Sequence, residues 1–216
     1  MKSLYSVGLL LTLLVSCQKK EDTGTVPWSE ALKETAWGGE YENGGTAYKG
    51  SQSFSIVFNS NGTFIWYEVY GDYPGTWTVK GDQLIIEFSS GSKVSGTLTA
   101  NSWTNVINIT GHPWKILSVY KSSFPQTSSL DNTNWTGKYA VLGSYELEFL
   151  TGSKVREHIG ATTFGIYNYV IKGSAIRWVD LAGEMGFGVL DQKGTTLNGY
   201  HTTASPSKMD PWQVKL

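Results

Sequence analysis

The sequence predicts an all-β protein: two tandem small antiparallel up-and-down β-barrels of about eight short strands each. Three observations lead there. After residue 33 no helical period survives, and alternating apolar runs are separated by Gly-, Asn- or Pro-containing turns, the pattern of consecutive hairpins. LKETAWGGEY at 32–41 returns as LDNTNWTGKY at 130–139, with Leu32/Leu130, Thr35/Thr133, Trp37/Trp135, Gly39/Gly137 and Tyr41/Tyr139 matched at one offset. Pro113-Trp114 and Pro211-Trp212 match at the same offset, so the repeat runs through nearly the whole chain after residue 31. An antiparallel sheet of that many strands curls and closes, because closure removes its unpaired edges.

Ahead of the first copy, residues 26–33 read as one short helical turn with Ser29 as its cap. In the first copy Phe54, Ile56 and Phe58 alternate along a strand. Asn61-Gly62 follows as a tight hairpin turn, since both residues tolerate positive φ. Residues 64–70 return, Tyr73-Pro74-Gly75 is expected to turn the chain, and residues 76–79 continue. Gly81-Asp82 leads into Leu84, Ile86 and Phe88, and Ser90-Gly91 into Val94, Gly96 and Leu98; residues 106–109 and 114–119 supply the last two strands. In the second copy Tyr145, Leu147 and Phe149 alternate before the Gly152-Ser153 turn. Residues 155–159, 166–171, 176–181 and 188–190 follow in the same order, with Lys172-Gly173 matching Lys80-Gly81. The copies occupy 32–121 and 122–216, with the boundary in the Ser- and Pro-containing stretch 121–129. A domain this small buries only roughly 60–65% of its unfolded surface, which argues for a filled interior or a shallow pocket at one mouth.

Residues 1–16 read as a lipoprotein signal peptide. Lys2 precedes an apolar run over 4–15, too short for the roughly 20 residues a membrane-spanning helix needs. The run ends in Leu14-Val15-Ser16-Cys17, which resembles the lipobox of bacterial lipoproteins. That resemblance implies cleavage before Cys17 and lipidation of Cys17, and it accounts for an unpaired cysteine in an exported chain. Residues 17–31 are then the lipidated cysteine and its tether. Position 18 is Gln, not the Asp that retains some lipoproteins at the inner membrane. The stretch Gln18-Lys19-Lys20-Glu21-Asp22 resembles the Lys-plus-acidic surface-export signal of Bacteroidetes lipoproteins. The expected location is the outer membrane, lipid-anchored and facing the cell surface. No later apolar run is long enough to span a bilayer, so the lipid is the expected membrane contact.

The phrase Leu-x-x-Thr-x-Trp-x-Gly-x-Tyr, followed by a meander ending near Trp-Lys, resembles the lipocalin-like (calycin-type) domains of Bacteroidetes lipoproteins. The resemblance implies that Gly39-x-Tyr41 and Gly137-x-Tyr139 belong to a first strand that plugs the barrel floor. It implies that Lys115 or Lys121, and Lys215, lie across the aromatic from the last strand. The structural repeat motif on this reading is Trp37, Gly39, Tyr41 and Trp114 in one copy, and Trp135, Gly137, Tyr139 and Trp212 in the other. The copies are shorter than true lipocalins and carry Tyr where those have Trp.

The chain has 17 basic and 18 acidic residues and a net charge of −1, with no basic stripe to neutralise phosphates, so nucleic acid is not an expected partner. Its three histidines, His112, His158 and His201, form no His-x-x-x-His or Glu-x-x-His pair, so neither a metal nor a cofactor is expected. There is no Gly-x-Ser-x-Gly elbow and no glycine-rich phosphate loop before a helix. Glu40 and Glu42 share a strand face, but their counterparts are Lys138 and Ala140, which favours solvated charges over a glycosidase pair. The expected protein is not an enzyme.

The distinctive material is aromatic, with nine tryptophans and twelve tyrosines. Trp66, Trp103 and Trp178 have no aromatic counterpart in the other copy, and residues 64–70 carry aromatics on both strand faces. One face belongs inside a barrel; the other needs a cover, from the second barrel, a partner or a ligand. Aromatic rings beside a carboxylate suit sugar faces and amphipathic molecules. The candidate ligand-binding residues are therefore Trp66, Glu68, Tyr70, Trp103, Tyr167 and Trp178. The expected function is a non-enzymatic outer-membrane lipoprotein that binds a small amphipathic molecule or glycan. The alternative is an assembly module that docks onto another envelope protein.

Overall fold

A computed structural model of the chain describes residues 26–43, 51–108, 114–123, 129–140, 142–180, 183–202 and 209–216. The expected signal peptide, Cys17, the tether to residue 25, His112 and Pro113 lie outside them. The described residues form a helix α1 (Trp28–Ala31) and sixteen strands. The first eight are β1 (Thr35–Asn43), β2 (Ser51–Phe58), β3 (Thr63–Glu68), β4 (Gly71–Lys80), β5 (Gln83–Phe88), β6 (Lys93–Leu98), β7 (Trp103–Asn108) and β8 (Trp114–Lys121). The second eight are β9 (Thr133–Tyr139), β10 (Gly143–Leu150), β11 (Lys154–Ile159), β12 (Thr162–Lys172), β13 (Ala175–Val179), β14 (Met185–Leu190), β15 (Thr196–Thr202) and β16 (Met209–Lys215). The protein is all-β, and each set of eight is an antiparallel up-and-down meander. β9 to β16 form a closed barrel, whereas β1 to β8 stop just short of closure, with β7 and β8 at the two edges of the sheet.

Each residue of the repeated phrase has a physical task, the same in both copies. Leu32 and Leu130 are buried at the closed end of their barrels. The Thr35 hydroxyl donates to the Leu32 carbonyl at 2.5 Å and accepts from the Trp37 indole N–H at 3.0 Å; Thr133, Leu130 and Trp135 repeat this at 2.5 and 2.9 Å. The indole is thereby fixed across the closed end while its ring is buried. Gly39 and Gly137 sit where the last strand crosses the first. A Cβ on Gly39 would run into the Ser118 carbonyl and the Phe54 ring, and one on Gly137 into the Gln213 carbonyl. Tyr41 and Tyr139 are buried toward the opposite end.

Alternation then fills each interior. Phe54, Ile56, Phe58, Phe64, Trp66, Trp77, Leu84 and Ile86 build the first core; Tyr145, Leu147, Phe149, Val155, Tyr169, Ile176 and Trp178 build the second. A third buried cluster lies between the barrels: Val57, Tyr67 and Val69 from the first meet Ala175, Phe187, Val189 and Tyr200 from the second. This is what covers the second face of residues 64–70. Phe64 and Trp66 point into their own barrel, and Tyr67 and Val69 outward into the cluster between the two.

Polar contacts border that apolar seam. Ser174 donates through its backbone N–H and its hydroxyl to the Ser55 hydroxyl, at 3.0 and 2.9 Å. Arg177 donates to the Glu68 backbone carbonyl at 3.1 Å and pairs with Asp72 at 3.2 Å. Lys172 reaches the same Asp72 at 2.5 Å while its ammonium stands 4.7 Å from the Tyr67 ring centroid.

Three local expectations are corrected. Tyr73-Pro74-Gly75 is not a turn: β4 runs straight through it, and the chain reverses earlier, at Val69-Tyr70. Pro74 pairs with Ile65 on one side but lies just beyond the β4–β5 ladder, which begins at Gly75–Phe88, so its missing N–H interrupts nothing there. Ser29 does not cap α1. Pro27 holds the cap position and no side chain bonds to the helix end. The lysines implied by the calycin resemblance are dispersed. Lys121 is registered opposite Trp37, Lys215 is exposed opposite Thr136, and Lys115 is exposed beside Glu42.

Because the obstacle at both motif glycines is backbone, it cannot swing aside. Gly39→Ala and Gly137→Ala should each destabilise the protein by about 1–3 kcal/mol, the usual cost of overpacking. Denaturant unfolding checks this, with Gly62→Ala as the comparison, since a Cβ at that turn meets open space.

Candidate functional site

The two interiors are alike at the closed end and differ at the other, where β1 ends and β2 and β8 begin. In the first barrel that end is a stack of rings. Trp66 lies between Phe54, at 3.7 Å and 12°, and Trp114, at 6.0 Å and 18°, while Phe88 meets it edge-on at 5.7 Å. Tyr41 packs on Trp114 at 5.2 Å. Beside the stack, the carboxylate of Glu68 is buried at 4% exposure. It accepts the Tyr41 hydroxyl at 2.5 Å and a second hydrogen bond from Tyr73. With its one proton on Glu68, the Tyr41 oxygen accepts from the Gln52 side-chain amide. Burial, reinforced by the charge of Glu68, pushes the Tyr41 phenol far above its ordinary range and that of Tyr73 up to about 12.

Above this layer opens a cleft of about 310 Å³, walled by Tyr73, Pro74, Phe88 and Trp114 and rimmed by Ser89, Ser90 and Ser92. Seven of the nine tryptophans are buried, Trp28 is partly exposed at the start of α1, and Trp114 is the one partly exposed at this mouth. The Trp66 indole N–H in the layer below is buried and finds no acceptor among the described residues, as do those of Trp103, Trp178 and Trp212 elsewhere in the two cores.

Register relates the second barrel to the first. Phe54 is paired with Gly39 and Trp66 with Ile56; Tyr145 is paired with Gly137 and Glu157 with Leu147. Tyr145 and Glu157 therefore occupy the places of Phe54 and Trp66. Both are buried with His201, and the three form one cluster. Glu157 Oε1 accepts the Tyr145 hydroxyl at 2.5 Å and lies 2.7 Å from His201 Nε2, which is 2.9 Å from the Tyr145 oxygen. Tyr139, Trp178 and Trp212 surround the imidazole at ring distances of 5.4, 5.6 and 6.4 Å. Room for Trp178 comes from Gly186 opposite it, where a Cβ would enter the indole ring. Burial, and next the Glu157 charge, pushes the Tyr145 phenol well above its ordinary range.

The candidate residues named from sequence fall into separate places. Trp66 and Glu68 lie together under the first mouth, and Tyr70 is exposed just past β3. Trp103 is buried at the start of β7. Tyr167 and Trp178 belong to the second barrel. Glu40 and Glu42 are not buried, and Glu42 pairs loosely with Lys115 at 3.8 Å. Sequence reasoning assigned Trp114 to packing alone and passed over Tyr73, Phe88, Gln52, Tyr145, Glu157 and His201. One signal was available: Glu157 stands in the same alternating phase as Val155 and Ile159, so a carboxylate occupies an inward position. Among the described residues no group of three His, Cys, Asp or Glu side chains could hold a metal ion. No protein-family model matches the chain, and a search of the curated proteins finds no relative.

The raised tyrosines set an alkaline limit. Their protons stay on in the folded state after the unfolded chain, with phenols near 10.0, has begun to lose them. Between those points the unfolded state binds fewer protons, so stability falls as pH rises. The tyrosine contribution should be complete below pH 10 and decline as pH climbs through about 12, where Tyr73 titrates. Denaturant midpoints across that window, with phenolate absorbance as the reporter, check this; Tyr73→Phe should flatten the decline.

Proposed function

We propose that the chain is a non-enzymatic, lipid-anchored envelope protein that binds a small amphipathic molecule or glycan at the mouth of its first barrel. One observation carries the reading: an apolar cleft faced by Trp114, Phe88 and Tyr73 lies directly over a layer that holds a buried carboxylate bonded to two phenols. Its volume of about 310 Å³ is at the small end of ligand sites. The indole and phenyl faces supply apolar contact area for a sugar face or a short acyl or aromatic group. The serine rim supplies hydrogen bonds to ring oxygens, hydroxyls or a carbonyl head. Glu68 acts by position: its bonds to Tyr41 and Tyr73 hold both phenols, and Tyr73 forms one wall of the cleft.

Anchoring rests on Leu14-Val15-Ser16-Cys17, read as a lipobox with Cys17 as the lipidated residue, and on the charged stretch after it. No helix among the described residues is long and apolar enough to cross a membrane, which is compatible with attachment through lipid. An outer-membrane location facing the cell surface is the corresponding proposal.

A panel of oligosaccharides and short-chain amphiphiles, screened by glycan array and native mass spectrometry against folded protein, tests the reading. At least one class should bind saturably, and Trp114→Ala should weaken it about tenfold or more, the usual effect of removing a central aromatic anchor, in a variant that is less stable for the lost ring contacts but still folded at the assay temperature by circular dichroism. Silence across the panel, or binding indifferent to Trp114→Ala, would contradict it.

A further inference from the structure

Strand alternation sorts the groups at the mouth of the first barrel. Trp66 and Glu68 on β3, Tyr73 on β4 and Phe88 on β5 keep the phase of the core residues Phe64, Trp77 and Ile86, so they lie on the inner side of the sheet. Asp72 has the opposite phase, and it is Asp72 that takes Lys172 and Arg177 of the second barrel. Glu87 and Lys93, which flank the serine turn, pair with each other at 2.8 Å. The cleft itself has no charged side chain among its lining residues.

Its walls are rings set at angles to one another. Phe88 stands at 84° to Trp114 with centroids 6.2 Å apart, so the two make a corner. Tyr73 adds a further wall, and its hydroxyl bonds to the buried Glu68 carboxylate. Donation to a carboxylate pushes electron density back into the phenol ring and makes its face more negative. Aromatic faces carry the negative part of the ring quadrupole and attract cations. We infer that the mouth of the first barrel is an aromatic cage for an alkylated ammonium group, in particular a quaternary ammonium of the choline type. This rests on the mouth being a ligand site and names the class of ligand it takes.

The polar lining separates this class from the others. A sugar ring presents hydroxyls around its whole edge. Here, apart from Tyr73, whose phenol is engaged by Glu68, the polar lining side chains are Ser89, Ser90 and Ser92, all in one turn. The Ser89 hydroxyl already donates to the Pro74 carbonyl at 3.0 Å, and those of Ser90 and Ser92 bond each other at 3.4 Å. A quaternary ammonium has no N–H to satisfy. Its methyl groups pack on ring faces and its charge is drawn to them. An anionic head, such as a fatty-acid carboxylate, would meet the ring faces and Glu68 with the same sign and is disfavoured.

Titration of the intact chain with choline and with its neutral carbon isostere, tert-butylethanol, tests the inference, read by calorimetry and by tryptophan fluorescence. The two probes share a shape and differ in charge. Choline should bind saturably and about tenfold more tightly than the isostere. Glu68→Gln keeps an acceptor for the phenols and removes the charge, and it should lower the choline-to-isostere ratio about tenfold. Trp114→Leu keeps apolar bulk and removes a ring face, and it should lower the same ratio. It gives the reading if circular dichroism shows that Glu68→Gln does not fold.

Equal affinity for the two probes, both weakened by Trp114→Leu, overturns the cation preference and leaves the mouth as a site for neutral amphiphiles. Choline binding whose ratio to the isostere survives in the folded variants belongs elsewhere on the chain and equally overturns the inference. So does a folded chain that binds no choline. In that case a glycan or neutral amphiphile whose binding needs Trp114 still supports the mouth as a ligand site, and silence from those as well removes both.

Discussion

The organisation of this protein depends on strands that are buried on both faces. A barrel strand ordinarily shows one face to its core and one to solvent, and its sequence alternates accordingly. In β2, β3, β14 and β15 the outward face is covered as well, because Val57, Tyr67, Val69, Phe187, Val189 and Tyr200 pack barrel against barrel. Each barrel alone is small, with a core set by a handful of rings and aliphatic chains. The third cluster adds apolar burial that neither half possesses by itself, and the Ser55–Ser174 and Arg177–Asp72 contacts fix how the halves meet. That shared face decides which aromatic residues are consumed by folding and which remain for recognition. Tyr67 and Tyr200 are spent between barrels, Trp66 and Trp178 inside them, and Trp114 is left at a mouth.

Duplication preserved the closed end and let the other diverge. The Leu-Thr-Trp hydrogen-bond relay and the motif glycines recur because each solves a problem intrinsic to the fold: plugging a floor, and letting the last strand cross the first. At the opposite end the same register positions hold Phe54 and Trp66 in one copy and Tyr145 and Glu157 in the other. The first choice leaves a greasy stack beneath an open cleft. The second closes a His–Glu–Tyr cluster on itself, with Tyr145, Glu157 and His201 in mutual contact. In that light the copies are a scaffold pair with unequal duties, the first barrel carrying the mouth cleft, and the second supplying a closed, polar-centred support.

Much of this was legible in the sequence, and the reasons for what was not are physical. The strand count, the meander order and the repeat follow from alternation and turn residues, which are local properties. The two-faced aromatic strand also announced that something must cover it. Pro74 misled because proline and glycine mark turns in most contexts, and only the ladder geometry shows that Pro74 lies past the point where its N–H would be needed. The candidate site was half legible. Trp66 and Glu68 were found because their neighbours are aromatic, but grouping them with Trp103, Tyr167 and Trp178 required knowing which rings share an interior. Trp114 was hidden by its own repetition: Trp212 is buried at the matching place, so a repeated position looked purely structural until exposure separated the two.

Differential scanning calorimetry on the intact chain tests the shared face most directly. If two-sided burial couples the barrels, heat should unfold them in one transition whose calorimetric enthalpy equals its van't Hoff enthalpy, and a charge placed in the third cluster, Val57→Asp, should split or broaden that transition. Two well-separated transitions in the unmodified protein, unmoved by Val57→Asp, would show that the barrels fold as independent beads and would contradict the account.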